Sequence, residues 1–340
     1  MTEPMSLTFT LVVIVVVVAL LFDFVNGFHD AANAIATIVV TRTLTPGQAV
    51  LMAAFANFIG YFVFGTAVAK MIGKGVVHIE QVTLPLLLAT LAGAVLWNIL
   101  TWILGLPTSS SHALIGGLIG SGIAAVGLKV VIWKGVLKIF LFIFLAPAIG
   151  MFGAILFTII TIWIFHKSTP AATGGIFKKL QLVAALFAAI GHGTNDAQKT
   201  MGIIALALYT GGVSASFKTG QIDQWVVFAA YTAISLGTMC GGWRIVKTMG
   251  TSIIKIRDME GFCANAAASL VFLGTAHFGI PVSTTHVIAG SIMGVGTVEH
   301  AATVRWVTAR KIVWAWFITI PATALFSGCA FMVVRLFLHN

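Results

Sequence analysis

The chain has 340 residues, 59% of them hydrophobic and 8% charged, with a mean hydropathy of +1.06. An ordinary soluble domain is roughly 25% charged, so no soluble core absorbs this much apolar surface, and the composition predicts an all-α polytopic membrane protein. The net charge of +10 comes from 19 basic residues against 9 acids; they stand singly between apolar runs, which excludes a nucleic-acid stripe and fits the loop-charge asymmetry of a membrane protein.

Taken in order, residues 5–22 form the first uncharged run. It follows Glu3 and continues into Asp23 without a small-residue cleavage pattern, which predicts a retained helix rather than a signal peptide. The polar stretch NGFHDAANA at 26–34 comes next, then a second run at 43–69. Residues 81–128 are too long an uncharged run for one crossing, which needs about 20 residues. Near its middle lies GLPTSSSHALIGGLIGSG at 105–122, so the run is expected to be two helical arms meeting at a Pro and hydroxyl turn. After 139–165, the segment 166–179 with Pro170, Gly174 and Gly175 reads as a linker. The second half then repeats the order: HGTNDAQKT at 192–200, a run at 224–243, the run 261–298 with GIPVSTTHVIAGSIMGVG at 279–296, and a last run at 312–334. Cys240, Cys263 and Cys329 show no metal-type spacing and are expected to be packing residues.

Asp30 and Asp196 share the frame Gly-x-x-Asp-Ala at a separation of 166 positions. The two Pro-Ser elements coincide at Gly105/Gly279, Pro107/Pro281, Ser109/Ser283, His112/His286, Gly116/Gly290, Gly120/Gly294 and Gly122/Gly296. A weaker match pairs Gly60, Gly65, Lys70 and Gly73 with Gly237, Gly242, Lys247 and Gly250. These matches predict two repeats: 1–165, with the Asp motif at 26–34 and a hairpin at 84–128, and 180–340, with the Asp motif at 192–200 and a hairpin at 261–298. An odd number of crossings per half makes the second inverted. Placing the N-terminus outside leaves more basic residues inside than outside, with Lys70, Lys74, Lys129, Lys134 and Lys138 outside and 166–179 cytoplasmic.

An acid inside a membrane segment is costly and is by default a functional-site candidate, which singles out Asp30 and Asp196. Ser109, Ser110 and Ser111, and likewise Ser283, Thr284 and Thr285, precede Gly-rich helices, so their hydroxyls and backbone N–H groups suit an anion at helix N-termini. The two aspartates, with Asn33 and Asn195, supply oxygens for a hard cation or a proton. An anion beside carboxylates is tolerable when it enters with cations, and inverted repeats with interrupted helices point to a secondary transporter. Competing roles exist for each group. The hydroxyls can be interhelical glue, and Lys199, three residues after Asp196, can be its structural partner. Asp23, seven positions before Asp30, is open to a structural or a functional role. His112 and His286 are expected to hydrogen-bond the hairpin turns, Arg244 and Lys247 to mark the cytoplasmic edge. His29 and His192 flank the Asp motifs, yet no spacing amounts to a metal site.

The stretch at 26–34 resembles a bacterial form of the signature Gly-Ala-Asn-Asp-Val-Ala-Asn-Ala of the inorganic phosphate transporter (PiT) family, matching at Gly27, Asp30, Ala32, Asn33 and Ala34. The stretch HGTNDAQKTMG at 192–202 is similar to the second copy at Asn195 and Asp196, and the two Pro-x-Ser-x-x-His elements resemble the family hairpins, so the resemblance spans nearly the whole chain. It implies a carrier and not an enzyme, importing inorganic phosphate in the bacterial inner membrane, where the basic-residue count above puts both termini outside. It also implies symport with sodium or protons, or carriage as a metal phosphate, through two re-entrant hairpins, with no cofactor beyond the coupling ion. Phosphate, the cation and the bilayer are then the partners, with a second copy of the chain as a candidate. His29 stands where the signature has Asn; an Asn carbonyl ligates sodium well and His does not, which tilts the expectation toward protons. The rival within the family is a sulfate permease. An intramembrane hydrolase would leave the hydroxyl tips without a role, and a channel would not need two hairpins.

Overall fold

The computed structural model describes residues 3–63, 65, 66, 69, 75–219, 221–280 and 282–338, so Lys70, Gly73, Lys74 and Pro281 lie outside the described residues. The described chain is helical, and its only β pairing is an isolated bridge between Val77 and Val131. The first half contains α1 (Glu3–Asp30), α2 (Ala32–Val40), α3 (Pro46–Val63), α4 (Leu84–Leu104), α5 (Ser110–Val126) and α6 (Trp133–Phe165). The second contains α7 (Pro170–Thr210), α8 (Gln224–Cys240), α9 (Trp243–Lys247), α10 (Asp258–His277), α11 (Thr284–Glu299) and α12 (Trp306–Leu338).

The polarity of the molecule is reversed from that of a soluble protein. Leu137, Phe152 and Trp163 on α6 are 71%, 68% and 74% exposed, whereas Asp23, His29, Asp30, Asn195 and Asp196 are at most 3% exposed. Charged side chains are almost never buried in a water-soluble fold unless paired, and such an apolar exterior is stable only against lipid. Five described stretches are long and apolar enough to cross a membrane: Leu7–Val40, Leu84–Leu104, Trp133–Phe165, Thr173–Thr210 and Trp306–Phe337. A sixth exists if α8 and the segment Trp243–Ser252, bent from it by 63°, count together. That bend, at Gly241 and Gly242, has no counterpart in the straight run expected from hydropathy, because backbone packing rather than composition sets it: a Cβ on Gly242 would run into the carbonyls of Phe28 and His29.

The expected linker is mostly helix. Because Pro170 suits a first helical turn, where its missing N–H is not needed, α7 begins there and only 166–169 connects it to α6.

Both Pro-Ser elements end a helix, turn and start another in the same way. Gly105 closes α4 with φ +65°, its N–H bonded to the last turn of the helix, and Gly279 follows α10 with the same φ of +65°. A left-handed helix cap of this kind favours glycine. Ser109 and Ser283 then cap α5 and α11, each hydroxyl accepting from the backbone N–H three residues on, His112 and His286, at 3.3 Å. The residues matched in sequence therefore do the same local work.

The matched glycines explain how the halves hold together. α5 packs along α12, and α11 along α6, so each second arm lies on the last helix of the other half. A Cβ on Gly116 or Gly120 would collide with the backbone of Ile320 or Ala324, and one on Gly290 or Gly294 with that of Pro147 or Met151. Without a hydrophobic driving force between helices in lipid, such backbone contact between small residues is what holds them. Gly120→Leu is expected to force α5 off α12 at a cost of about 1–3 kcal/mol or more. A loss of monodisperse protein in detergent, or a lowered melting temperature, checks this.

Candidate functional site

The helix break between α1 and α2 falls at Ala31, directly after Asp30, and α7 carries Asp196 near its middle. The N-termini of α5 and α11 point toward these two positions from the hairpins. All ten residues singled out for anion or cation binding are buried except Ser111, which is half-buried and lines a cavity.

The second hairpin tip lies against both aspartates. Thr284 Oγ1 donates to Asp196 Oδ2 at 3.1 Å, and Thr285 Oγ1 donates to Asp30 Oδ2 at 3.3 Å. Asn33 joins them, its Nδ2 donating to Thr284 Oγ1 at 3.3 Å and Thr285 Oγ1 at 3.0 Å. The first tip meets the other Asp motif through a lysine: Lys199 Nζ donates to Ser111 Oγ, to Asp196 Oδ1 and, at 3.3 Å, to the Val282 carbonyl. The residue at three past each aspartate thus reaches the hairpin of the opposite half.

Two further contacts tie each Asp motif to the hairpin of its own half. Asn195 Nδ2 donates to the Phe272 carbonyl on α10 at 3.0 Å, and His29 Nε2 lies 3.0 Å from Thr101 Oγ1 on α4. His29, at the place of the signature Asn, therefore takes over its anchoring role, while its Nδ1 stands 2.6 Å from Asp30 Oδ1.

The free polar atoms define what the site can hold. The side-chain oxygens of Asn33 and Asn195 and the hydroxyl of Ser110 are buried without a hydrogen-bond partner. Buried acceptors without donors are costly, and a cation satisfies them. Asp30, His192 and Asp196 each offer a ligand atom, all within 4.8 Å of one another. Sequence spacing does not show this cluster because its ligands come from two helices. Ser109 and Ser283 each spend a lone pair on their cap and keep a hydroxyl proton to donate. Their replacement by Ala is expected to cost about 1 kcal/mol of stability through the lost cap, read as a lowered melting temperature.

A cavity of about 650 Å³ reaches this centre between the hairpins, lined by Ser111, His112, Lys199, Val282 and Ser283, with the exposed Lys138 at its wall. The rings of His112 and His286 meet edge to face with centroids 4.8 Å apart, and His286 stacks on Trp316 at 4.1 Å. The expectation that these histidines bond the turns through their rings is therefore replaced by ring packing between the two hairpins. Arg244 holds the end of the first hairpin by donating to the Ile103 carbonyl and lying over the Trp102 ring. Asp23 is fully buried on the same helix as Asp30, with the side chains of Thr200 and Asn26 as the polar neighbours of its carboxyl. Lys199 was legible as a partner of Asp196 from its spacing; its contact with the first hairpin tip was not. The available signal was positional, since Lys199 follows Asp196 by the same three residues that separate Asn33 from Asp30.

Comparison with known proteins identifies relatives along nearly the whole chain. The model of the phosphate transporter family matches residues 26–175 and 166–327. The chain is 48% identical over 331 residues to a probable low-affinity inorganic phosphate transporter of Rhizobium meliloti (strain 1021), covering 97% of this chain and 98% of the relative. It is 43% identical to a protein of the same description from Bacillus subtilis (strain 168), over 98% of this chain and 99% of the relative. Among solved structures, one described as the sodium-dependent phosphate transporter superposes with a TM-score of 0.84 at 26% identity, covering 96% of this chain and 99% of that one. With its helical membrane fold, buried aspartates and hydroxyl-tipped hairpins, the chain belongs to the phosphate transporter family, a family of carriers and not of enzymes.

Proposed function

We propose that this protein imports inorganic phosphate across the bacterial inner membrane by symport with a cation, through alternating access. The observation that carries the reading is the placement of Thr284 and Thr285 between the two aspartates, with their hydroxyl protons directed at Asp196 and Asp30. A cation drawn to the carboxylates and to the Asn33 and Asn195 oxygens takes over the role of those protons. The hydroxyls are then free to donate to an oxyanion arriving at Ser110 and Ser111. Cation and anion occupancy become linked, and the linkage is reciprocal. Sodium fits the carbonyl and carboxylate oxygens; a proton fits the contact of His29 with Asp30.

The two halves, 1–165 and 180–340, act as inverted repeats around this shared site, joined on the cytoplasmic side with both termini outside. On that placement Lys138 and the cavity face outward, and a basic residue there draws anions in. Phosphate is preferred to sulfate because it keeps a P–OH near neutrality, a donor that a carboxylate accepts and that sulfate lacks. Counterflow of labelled phosphate and sulfate in proteoliposomes, with sodium and pH varied separately, tests the reading. Saturable phosphate exchange that depends on one of the two ions is expected; equal exchange of sulfate would remove the anion assignment.

A further inference from the structure

We propose that Lys199 is a resident cation. Its ammonium fills the second of two equivalent cation positions, so this chain moves one monovalent cation fewer per anion than a carrier with a neutral amide there. The proposal rests on the symport reading above and adds the coupling ratio to it.

The ammonium has three N–H donors, and all three are spent on protein oxygens: the Asp196 carboxylate, the Ser111 hydroxyl and the Val282 carbonyl. Carboxylate, hydroxyl and backbone carbonyl oxygens are the set that hard cations take in proteins. An anion would have to displace one of them to reach the nitrogen, so the geometry favours a bound cation over an anion anchor. Lys199 is 3% exposed, which keeps its charge from being shared with water.

The equivalent place in the first half is different in one respect. Asn33 follows Asp30 at the same spacing and donates to the second hairpin tip, as Lys199 does to the first. Yet Asn33 keeps an unpartnered buried oxygen that can ligate a mobile ion, whereas an ammonium has no acceptor to offer. One position therefore awaits a cation and the other holds its own. A buried carboxylate left without a counter-charge is strongly unfavourable, so with the lysine charge removed Asp196 keeps only the His192 ring, 3.1 Å from its Oδ2, and draws a replacement cation or proton from solution.

The test is the net charge moved per phosphate in proteoliposomes at potentials clamped with potassium and valinomycin. Lys199→Asn is expected to move one more positive charge per phosphate than the wild type and to steepen the cation dependence by one site. At an inside-negative potential of about 59 mV its equilibrium accumulation should be about tenfold higher. Lys199→Arg should keep the wild-type ratio whatever its rate. The double variant Asp196→Asn/Lys199→Asn, which restores the net charge of the site, should also keep it. An unchanged ratio in Lys199→Asn with weakened phosphate affinity would make Lys199 an anion anchor and overturn the proposal. If Lys199→Asn folds but does not transport, labelled sodium or protons taken up with phosphate in detergent are counted instead: one more than wild type supports the proposal, and an equal number overturns it. Should Lys199→Asn not fold, the double variant decides, since a ratio different from wild type overturns the proposal. Absence of phosphate uptake by the wild type would instead remove the symport reading and the proposal with it.

Discussion

Asp196→Asn is expected to lower initial phosphate uptake by at least about a hundredfold. The substitution keeps the shape of the side chain but strands the Lys199 ammonium, which is buried and bonded to this carboxylate. Removing one member of a buried ion pair costs about 3–5 kcal/mol, and each 1.4 kcal/mol is roughly tenfold. Because the stranded charge carries much of that cost, adding Lys199→Asn is expected to recover part of the uptake. Asp30→Asn strands no lysine and is expected to leave the fold intact while abolishing cation dependence. Initial rates across a sodium series at fixed pH, and across a pH series without sodium, measure all three variants. Wild-type rates and ion dependence in both single variants would make these aspartates structural.

Thr284→Val together with Thr285→Val is expected to raise the phosphate KM by at least about a hundredfold while cation binding in the absence of phosphate persists. Val matches Thr in shape and lacks only the hydroxyl. Each hydroxyl now serves a carboxylate at 3.1 or 3.3 Å, and a hydrogen bond to a charged group contributes about 1.5–3 kcal/mol. If the hydroxyls pass from carboxylate to anion when the cation arrives, their loss removes the link between the two ligands. The measurement is phosphate affinity with and without saturating cation. A double variant whose phosphate affinity responds to the cation as the wild type does would show that coupling runs by another route.

How much of this was legible in advance depends on the distance over which each feature is determined. The membrane class follows from composition alone. The hairpin ends follow from a few adjacent residues: a glycine at Gly105 and Gly279 that accepts a left-handed turn, then a serine at Ser109 and Ser283 that caps the next helix. Such features are governed by steric and hydrogen-bonding rules acting within four or five residues, so a repeated pattern predicts a repeated shape. The candidate aspartates were also legible, because an acid in an apolar run is conspicuous whatever surrounds it.

What only the tertiary structure decided is which groups meet. Lys199 reaches Ser111 across 88 positions, and Asn33 reaches Thr285 across 252. His192 joins Asp30 and Asp196 in a cluster that no linear spacing contains, and α8 bends where the Asp motif presses on Gly242. These meetings depend on how each helix is rotated and how closely its neighbour approaches. Rotation and approach are set by the sum of many backbone contacts, such as those at Gly120 and Gly290, made with residues far away in the chain. A sequence displays the groups able to hold an ion, but their distances and their division into paired and unpaired atoms come into being only when the helices are packed.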